Sequence, residues 1–210
     1  MVRVKICGLT HGDDVQAAVE AGVDAVGAIV DVPVETPRAV SPERAARLFV
    51  EVPPFVSTVL VTMPETVARA RELVETVRPD AIQIHEGLSP PGVATLSETG
   101  VETIASVNLD EPALEEYAEV ADALLVDSSD EDGAGGTGRT HDWNATRDLD
   151  PLEAPLVLAG GLTPGNVETA VERVEPYAVD VASGVERAPG RKDAALMRQF
   201  VDRARAGAVR

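Results

Sequence analysis

The 210-residue chain has one cysteine, Cys7, and only two lysines, Lys5 and Lys192. A lone cysteine excludes an internal disulfide, so we expect the protein to work in the reducing cytoplasm. No apolar run approaches the roughly 20 residues of a membrane-spanning helix, and the N-terminus lacks the apolar segment of a signal peptide. The sequence therefore predicts neither an exported protein nor a membrane partner.

Basic residues are also scarce. The chain has 18 of them and 36 acidic residues, which gives a formal net charge of −18. Such a surface repels nucleic acid and anionic membranes. It also repels itself, and salt near 1 M removes most of that repulsion by shortening the Debye length to about 3 Å. The low aromatic content of 3% accompanies many alanines and valines. These features favour a host that lives in high salt over an acidic protein from an ordinary host.

Apolar, β-rich runs alternate along the chain with amphipathic stretches of helical period. The predicted strands are Val2–Cys7, Ala25–Val30, Val56–Val61, Ala81–His85, Glu102–Ser106, Ala123–Asp127, Leu156–Ala159 and Val179–Ala182. The predicted helices include His11–Ala21, Pro42–Val52, Glu65–Val77, Leu114–Val120, Gly165–Val174 and Ala194–Ala206. Helix starts are expected where a capping side chain meets a proline, at Ser41-Pro42, Thr62-Met63-Pro64-Glu65 and Thr163-Pro164.

Eight strand–helix units predict the α/β class and a single (βα)8 barrel with lean loops, a TIM barrel. A doubly wound open sheet is the alternative, but it would carry a glycine fingerprint after the first strand, and Gly8-Leu9-Thr10 is not one. No linker or change in composition interrupts the chain, so we expect one domain over residues 1–210.

Alternation along the strands predicts which side chains point into the barrel. Lys5 and Cys7 share one face of the first strand, and Cys7 lies at its carboxyl end. Asp127 likewise ends the sixth strand. A thiol and a carboxyl group at two strand ends can face each other across the barrel mouth as a base and an acid. Their alternatives are a small core residue for the cysteine and a turn cap for the aspartate.

The fourth and eighth strands are expected to add Gln83, His85 and Asp180 to the interior. His85 is favoured as a hydrogen-bonded lining residue over a catalyst. Arg38 follows Thr36-Pro37, and a forked donor over the mouth would suit a carboxylate ligand, although a solvated loop arginine is the commoner case.

Two glycine turns follow the seventh and eighth predicted strands, Gly160-Gly161 and Ser183-Gly184. Either pair could be a simple tight turn, but in barrels these loops commonly bind phosphate with backbone N–H groups, so we expect a phosphorylated small-molecule substrate. No metal-ligand spacing and no G-x-S-x-G motif is present, and we expect neither a metal nor a cofactor.

Taken in order, these residues make the chain resemble the phosphoribosylanthranilate isomerases of tryptophan biosynthesis. The matching segments run from end to end: KICGLT at 5–10, TPR at 36–38, IQIH at 82–85, Asp127 with GGTG at 135–138, DW at 142–143, LAGGLTPGNV at 158–167, and VDVASGVE with PGRKD through 193. The departures include Glu86 before Gly87, and a slimmer second strand, GAIVDV.

The resemblance implies an Amadori rearrangement of an aminoaldose phosphate to an aminoketose phosphate, by acid–base chemistry. It implies Cys7 as general base, Asp127 as general acid and Arg38 as the group that binds the anthranilate carboxylate. It also implies that the phosphate is bound by Gly136, Thr137 and Gly138 together with the two glycine turns. His85 and Asp180, on the inner faces of their strands, are expected to contact the substrate. Lys5, on the face of Cys7, is expected to lower the thiol pKa and to pair with Asp180.

Three rival functions remain open at this stage. Indole-glycerol-phosphate synthase would need a lysine and glutamate set inside the barrel, and the sugar isomerase of histidine synthesis would need a carboxylate in place of Cys7. A regulatory barrel that only binds a phosphate ligand would not need Cys7 and Asp127 together. The oligomeric state is expected to be a monomer or a homodimer.

Overall fold

The computed structural model describes residues 1–127, 143–147 and 154–208. In these residues eight parallel strands close into a barrel in chain order, and the last pairs with the first. They are β1 (Arg3–Ile6), β2 (Ala25–Ile29), β3 (Ser57–Thr62), β4 (Ala81–Ile84), β5 (Glu102–Val107), β6 (Ala123–Asp127), β7 (Leu156–Ala159) and β8 (Ala178–Val181). The (βα)8 prediction is confirmed, and the open sheet is excluded.

Helices surround the barrel and bury their apolar faces against its outer side. They are α1 (Gly12–Glu20), α2 (Pro42–Val50), α3 (Val67–Val77), α4 (Pro90–Ser97), α5 (Leu114–Val120), α6 (Trp143–Arg147), α7 (Val167–Val174) and α8 (Ala194–Gly207). Among the described helices, none is both long and apolar enough to span a membrane.

Strand alternation divides the buried residues into two layers, as predicted. Val4 and Ile6 of β1 join the core between the barrel and its helices, whereas Cys7 packs in the interior with Val59 and Val61 of β3. The face of β1 that carries Lys5 and Cys7 therefore points into the barrel.

Two of the three predicted helix starts are wrong by two residues. α2 begins at Pro42 as expected, but α3 begins at Val67, where Thr66 caps the helix by accepting from the backbone N–H of Arg69. α7 begins at Val167 instead of Gly165. Side-chain bonds at Thr163 and Asn166 close a turn before the helix, so the Thr163-Pro164 signal marks this turn.

A short hairpin that the sequence did not predict lies between β8 and α8. A 3₁₀ turn (Ser183–Val185) leads into two antiparallel strands, β9 (Glu186–Ala188) and β10 (Arg191–Lys192). Gly190 connects them at φ 72°, and a Cβ there would overlap the carbonyl oxygen of Pro37. The hydroxyl of Thr10 donates to the Gly190 carbonyl at 2.8 Å. The hairpin is thereby fixed against the loops that follow β1 and β2.

Candidate active site

A buried ionic cluster crosses the barrel interior. The Lys5 Nζ donates to Gln83 Oε1 at 2.9 Å and lies 3.1 Å from Asp180 Oδ1. Lys5 and Asp180 face each other because β1 and β8 pair in that register. Burial alone would lower the pKa of Lys5, but the charges of Asp180 and Cys7 outweigh it and raise that pKa. The predicted Lys5–Asp180 pair is confirmed, and the lysine is held as a cation.

Cys7 directly follows β1 and is a free thiol with only 5% of its surface exposed. Its backbone N–H donates to the Val181 carbonyl at 2.8 Å, which anchors it beside β8. A Cβ on Gly27 of β2 would lie 3.1 Å from the Cys7 Sγ, so a side chain at that position would crowd the thiol. The sulfur therefore has space on the β2 side.

The pKa of the Cys7 thiol is raised. Burial is the largest cause, the Lys5 charge opposes it, Asp180 adds to it, and Lys192 opposes it. Lys5 thus acts in the expected direction, but the net pKa of the thiol is raised, because burial disfavours the thiolate more than the two cations favour it.

Asp127 ends β6 as predicted and is half-buried. It opens into a cavity of about 180 Å³ that is lined also by Asp180 and by both glycine turns, Gly160-Gly161 and Ser183-Gly184. The structure therefore brings the predicted acid, the interior carboxylate and the two turns to one cavity at the carboxyl ends of the strands.

The two glycine turns need glycine for different reasons. Gly160 and Gly161 have φ of 87° and 60°, which side chains rarely adopt. Gly184 lies so close to the first turn that a Cβ would overlap the carbonyl oxygen of Leu162. The side chain of Asn166 donates to the Gly161 carbonyl at 3.0 Å and fixes the turn from behind. The backbone of both turns is thereby held in a single arrangement.

Arg38 pairs with Glu186 of the hairpin in a bidentate fork. Its Nε lies 2.8 Å from Oε1, and its Nη2 lies 2.9 Å from Oε2. The arginine is about a quarter exposed, and the glutamate side chain is 6% exposed. Burial alone would raise the pKa of Glu186, but Arg38 and Lys192 outweigh it and hold that pKa below its usual range. Arg38 is therefore a fixed cation at the mouth and not a solvated one.

Similarity to known proteins identifies the family. The sequence model of PRAI, N-(5'phosphoribosyl)anthranilate (PRA) isomerase, matches residues 4–203. The chain belongs to the phosphoribosylanthranilate isomerase family. N-(5'-phosphoribosyl)anthranilate isomerase of Haloarcula marismortui is 56% identical over 207 residues, which cover 98% of this chain and 97% of that protein. The enzyme of the same name from Halobacterium salinarum is 57% identical over 212 residues, with the same coverage. Such relatives come mostly from halophilic archaea, as the charge predicted.

Solved isomerase structures have the same fold. Phosphoribosyl anthranilate isomerase from Thermotoga maritima is 36% identical with a TM-score of 0.88, over 98% of this chain and 99% of that one. An isomerase in complex with reduced 1-(o-carboxyphenylamino)-1-deoxyribulose 5-phosphate is 35% identical with a TM-score of 0.84 and the same coverage.

The remaining predicted residues of this isomerase are only partly placed by the structure. His85 directly follows β4 and is half-buried, and its backbone N–H donates to the Thr62 carbonyl at 3.0 Å. Gly136, Thr137 and Gly138 lie outside the described residues.

Two residues beside the site, Glu186 and Lys192, were not predicted from the sequence. Lys192 Nζ donates to the Ala182 carbonyl at 2.9 Å and to Glu186 Oε1 at 3.0 Å. One signal was present in the sequence, because Lys192 is one of only two lysines in a chain whose other cationic side chains are arginines.

Proposed function

We propose that the chain is the isomerase of tryptophan biosynthesis that converts N-(5-phospho-β-D-ribosyl)anthranilate to 1-(2-carboxyphenylamino)-1-deoxy-D-ribulose 5-phosphate, with Cys7 as general base and Asp127 as general acid. Family membership supports the reaction. One observation supports the two roles: Ala182 packs against the interior cluster that contains Cys7, and it also lines the cavity into which Asp127 opens. The proposal places the sugar between this cavity, where Asp127 lies, and the neighbouring cluster that holds the thiol.

The acid acts first in this mechanism. Protonated Asp127 donates its proton to the ribose ring oxygen as the bond from that oxygen to C1 breaks. The nitrogen lone pair of the anthranilate forms a double bond to C1, which leaves an iminium ion and an ionised Asp127. General acid catalysis of this kind contributes about 10²- to 10⁴-fold to rate.

The base acts second. The iminium ion acidifies the proton on C2, and the Cys7 thiolate removes it. The released electron pair forms the C1–C2 double bond and returns the charge on nitrogen to neutral. The C2 hydroxyl then gives up its proton, which restores the acid form of Asp127, and C1 takes up a proton, which restores the thiolate of Cys7; the product is the aminoketose. Because burial raises the pKa of Cys7, its thiolate is less populated at neutral pH but is a stronger base when formed.

The charged ends of the substrate match the cations and amides around the mouth. The pair with Glu186 takes two of the five N–H donors of Arg38, and we propose that the others receive the anthranilate carboxylate. The phosphate is proposed to bind at Gly160-Gly161 and Ser183-Gly184, with Gly136, Thr137 and Gly138. His85 and Asp180 are proposed to line the sugar and ring between these ends.

A direct assay in high salt tests this function. The substrate fluoresces through its anthranilate group, and the fluorescence should decay with enzyme at a rate proportional to enzyme concentration. Intact fluorescence, in a protein that still binds the reduced product analogue, would favour the regulatory barrel. The aminoaldose of histidine synthesis should be offered in parallel, because turnover of both substrates would reveal a dual enzyme.

The biological setting completes the proposal. We propose a single domain over residues 1–210 that acts in the cytoplasm as a monomer or homodimer, with no nucleic-acid or membrane partner. A reducing compartment suits a mechanism that needs Cys7 as a free thiol. One solved relative, from Thermotoga maritima, is described as dimeric and was also obtained as monomers. Light scattering at high salt will give the mass in solution.

A further inference from the structure

Both lysines of the chain are buried beside the same thiol. Lys5 is 4% exposed and Lys192 is 2% exposed, and each acts on the Cys7 thiol through its charge. The cations elsewhere in the sequence are arginines. Lys5 comes from β1 itself, whereas Lys192 reaches the mouth from β10.

The ammonium group of Lys192 lies in a buried pocket with two hydrogen-bond acceptors. It donates to the Ala182 carbonyl at 2.9 Å and to Glu186 Oε1 at 3.0 Å, and its side chain has no exposed surface. Ala182 packs against the cluster that contains Cys7, and the backbone N–H of Cys7 donates to the carbonyl of the preceding residue, Val181, so the first bond holds the cation on the β8 side of the thiol. A compact point charge suits this pocket, because the planar fork of an arginine is larger and needs more acceptors.

The second bond of Lys192 connects the thiol to the substrate-binding arginine. Glu186 Oε1 accepts from both Lys192 Nζ and Arg38 Nε, and Oε2 accepts from Arg38 Nη2. A chain of contacts therefore runs from the cluster that contains Cys7 through Ala182, Lys192 and Glu186 to Arg38. It depends on the hairpin, which is fixed on the Pro37 backbone.

We propose that Lys192 is a positioning residue of this isomerase, which stabilises the Cys7 thiolate with a second cation and, through Glu186, fixes the orientation of Arg38. This inference rests on the proposed roles of Cys7 and Arg38.

The charges around the thiol determine in which direction its pKa changes when the charge of Lys192 is removed. Lys5 on β1 and Lys192 on β10 favour the thiolate, and Asp180 on β8 disfavours it. Burial lowers the pKa of Lys192, Glu186 and Cys7 oppose that change, and Arg38 adds to it. Removal of the Lys192 charge leaves Lys5 alone against Asp180 and burial, so the thiol pKa must rise.

The test measures the thiol directly, which is possible because Cys7 is the only cysteine. The ultraviolet absorbance of the thiolate and the carbon NMR shift of a labelled cysteine are followed against pH in wild type, Lys192→Met and Lys192→Gln. We expect the thiol pKa to rise in both variants, kcat/KM at neutral pH to fall about tenfold or more, and the rising limb of the rate profile to move to higher pH with the thiol. An unchanged thiol pKa in a folded Lys192 variant overturns the proposal.

Glu186→Gln is the matched control. It disturbs the same contact with Arg38 but removes a negative charge instead of a positive one. Because all these variants disturb the contact that orients Arg38, we expect KM to rise in Glu186→Gln and in the Lys192 variants, but Glu186→Gln should show no rise in the thiol pKa. A rise in thiol pKa equal to that of Lys192→Met would mean that general loosening of the site, and not the lysine charge, controls the thiol.

Two further measurements separate the possible failures. If both Lys192 variants fail to fold, the effect of Cys7 on Lys192 can be measured instead, because the two charges act on each other equally. The pKa of the Lys192 ammonium is then followed by NMR in wild type and in Cys7→Ser. We expect it to be lower in Cys7→Ser, which lacks the thiolate. No change there overturns the proposal. Activity retained in Cys7→Ala would remove Cys7 from the mechanism, but the thiol titration would still report whether Lys192 acts on it.

Discussion

The ammonium nitrogen of Lys5 lies 3.1 Å from Oδ1 of Asp180, with both side chains enclosed by the barrel. Gln83 adds a third polar group to this interior cluster through its bond to the same nitrogen. In this buried environment each charge depends on its partner, because either one alone would be a buried charge without the compensation of water or of an opposite charge.

Lys5→Met is therefore expected to reduce the free energy of unfolding by about 3 kcal/mol or more, because it leaves the Asp180 carboxylate unpaired. The double variant Lys5→Met/Asp180→Leu should recover much of that loss. Denaturant unfolding in high salt measures both. A double variant no more stable than Lys5→Met would show that packing, and not the unpaired charge, is responsible.

Substitution of either member of the proposed acid–base pair should abolish most turnover. We expect Cys7→Ala and Asp127→Asn each to lower kcat by about 10²-fold or more, since each removes one proton-transfer group. The fluorescence assay measures kcat, and calorimetry with the reduced product analogue measures binding. Near-normal turnover in one variant would remove that residue from the mechanism, provided that circular dichroism shows an intact fold.

The pH dependence of kcat/KM should follow the ionisation of the Cys7 thiol. Burial raises the pKa of Cys7, and the base is the thiolate, so kcat/KM should increase as pH rises through that pKa. Lys5→Met removes a charge that lowers the pKa, and the rising limb should move to higher pH with a lower rate at neutral pH. A limb that stays in place in an active, folded Lys5→Met enzyme would exclude Lys5 as a modulator of the thiol.

Gly184→Ala should damage the proposed phosphate site. Its methyl group would overlap the Leu162 carbonyl and push the two glycine turns apart. We expect a loss of about 1–3 kcal/mol in stability and a clear increase in KM. Gly165→Ala in the same loop is the control, because the nearest atom to its Cβ would lie 3.5 Å away. Equal KM values in the two variants would argue against a phosphate site here.

Stability should depend strongly on salt. The net charge of −18 disfavours the compact chain, and salt screens this repulsion within a Debye length of about 10 Å at 0.1 M and about 3 Å at 1 M. We expect the thermal unfolding midpoint to rise steadily with potassium chloride. Sucrose at matched osmolality is the control, since it leaves charges unscreened. A fold that survives long dialysis into dilute buffer with an unchanged midpoint would contradict this prediction.

The barrel could be predicted from the sequence because the apolar residues of its strands and helices recur with regular periods and because neighbouring parallel strands pair. Alternation placed Lys5, Cys7 and Asp180 on inner faces, and neighbouring strand ends then brought Lys5 and Asp180 together. These residues lie on regular strands, where the direction of a side chain follows from its position.

The hairpin could not be predicted in the same way. Its strands have three and two residues, too few to show a period. The Arg38–Glu186 pair joins residues 148 positions apart, and no local pattern predicts such a contact. The direction of the Cys7 pKa was also beyond the sequence, because it depends on how fully the thiol is buried in relation to two cations that come from different elements.

Because both lysines are buried, their chemical modification can be used to measure local opening of the barrel. Their amines are shielded in the closed barrel, so an acylating reagent can modify them only in molecules that have transiently opened there. Mass spectrometry of the two modified peptides would then report separately how often the strand of Lys5 and the hairpin of Lys192 come apart, and whether a bound product analogue slows each event.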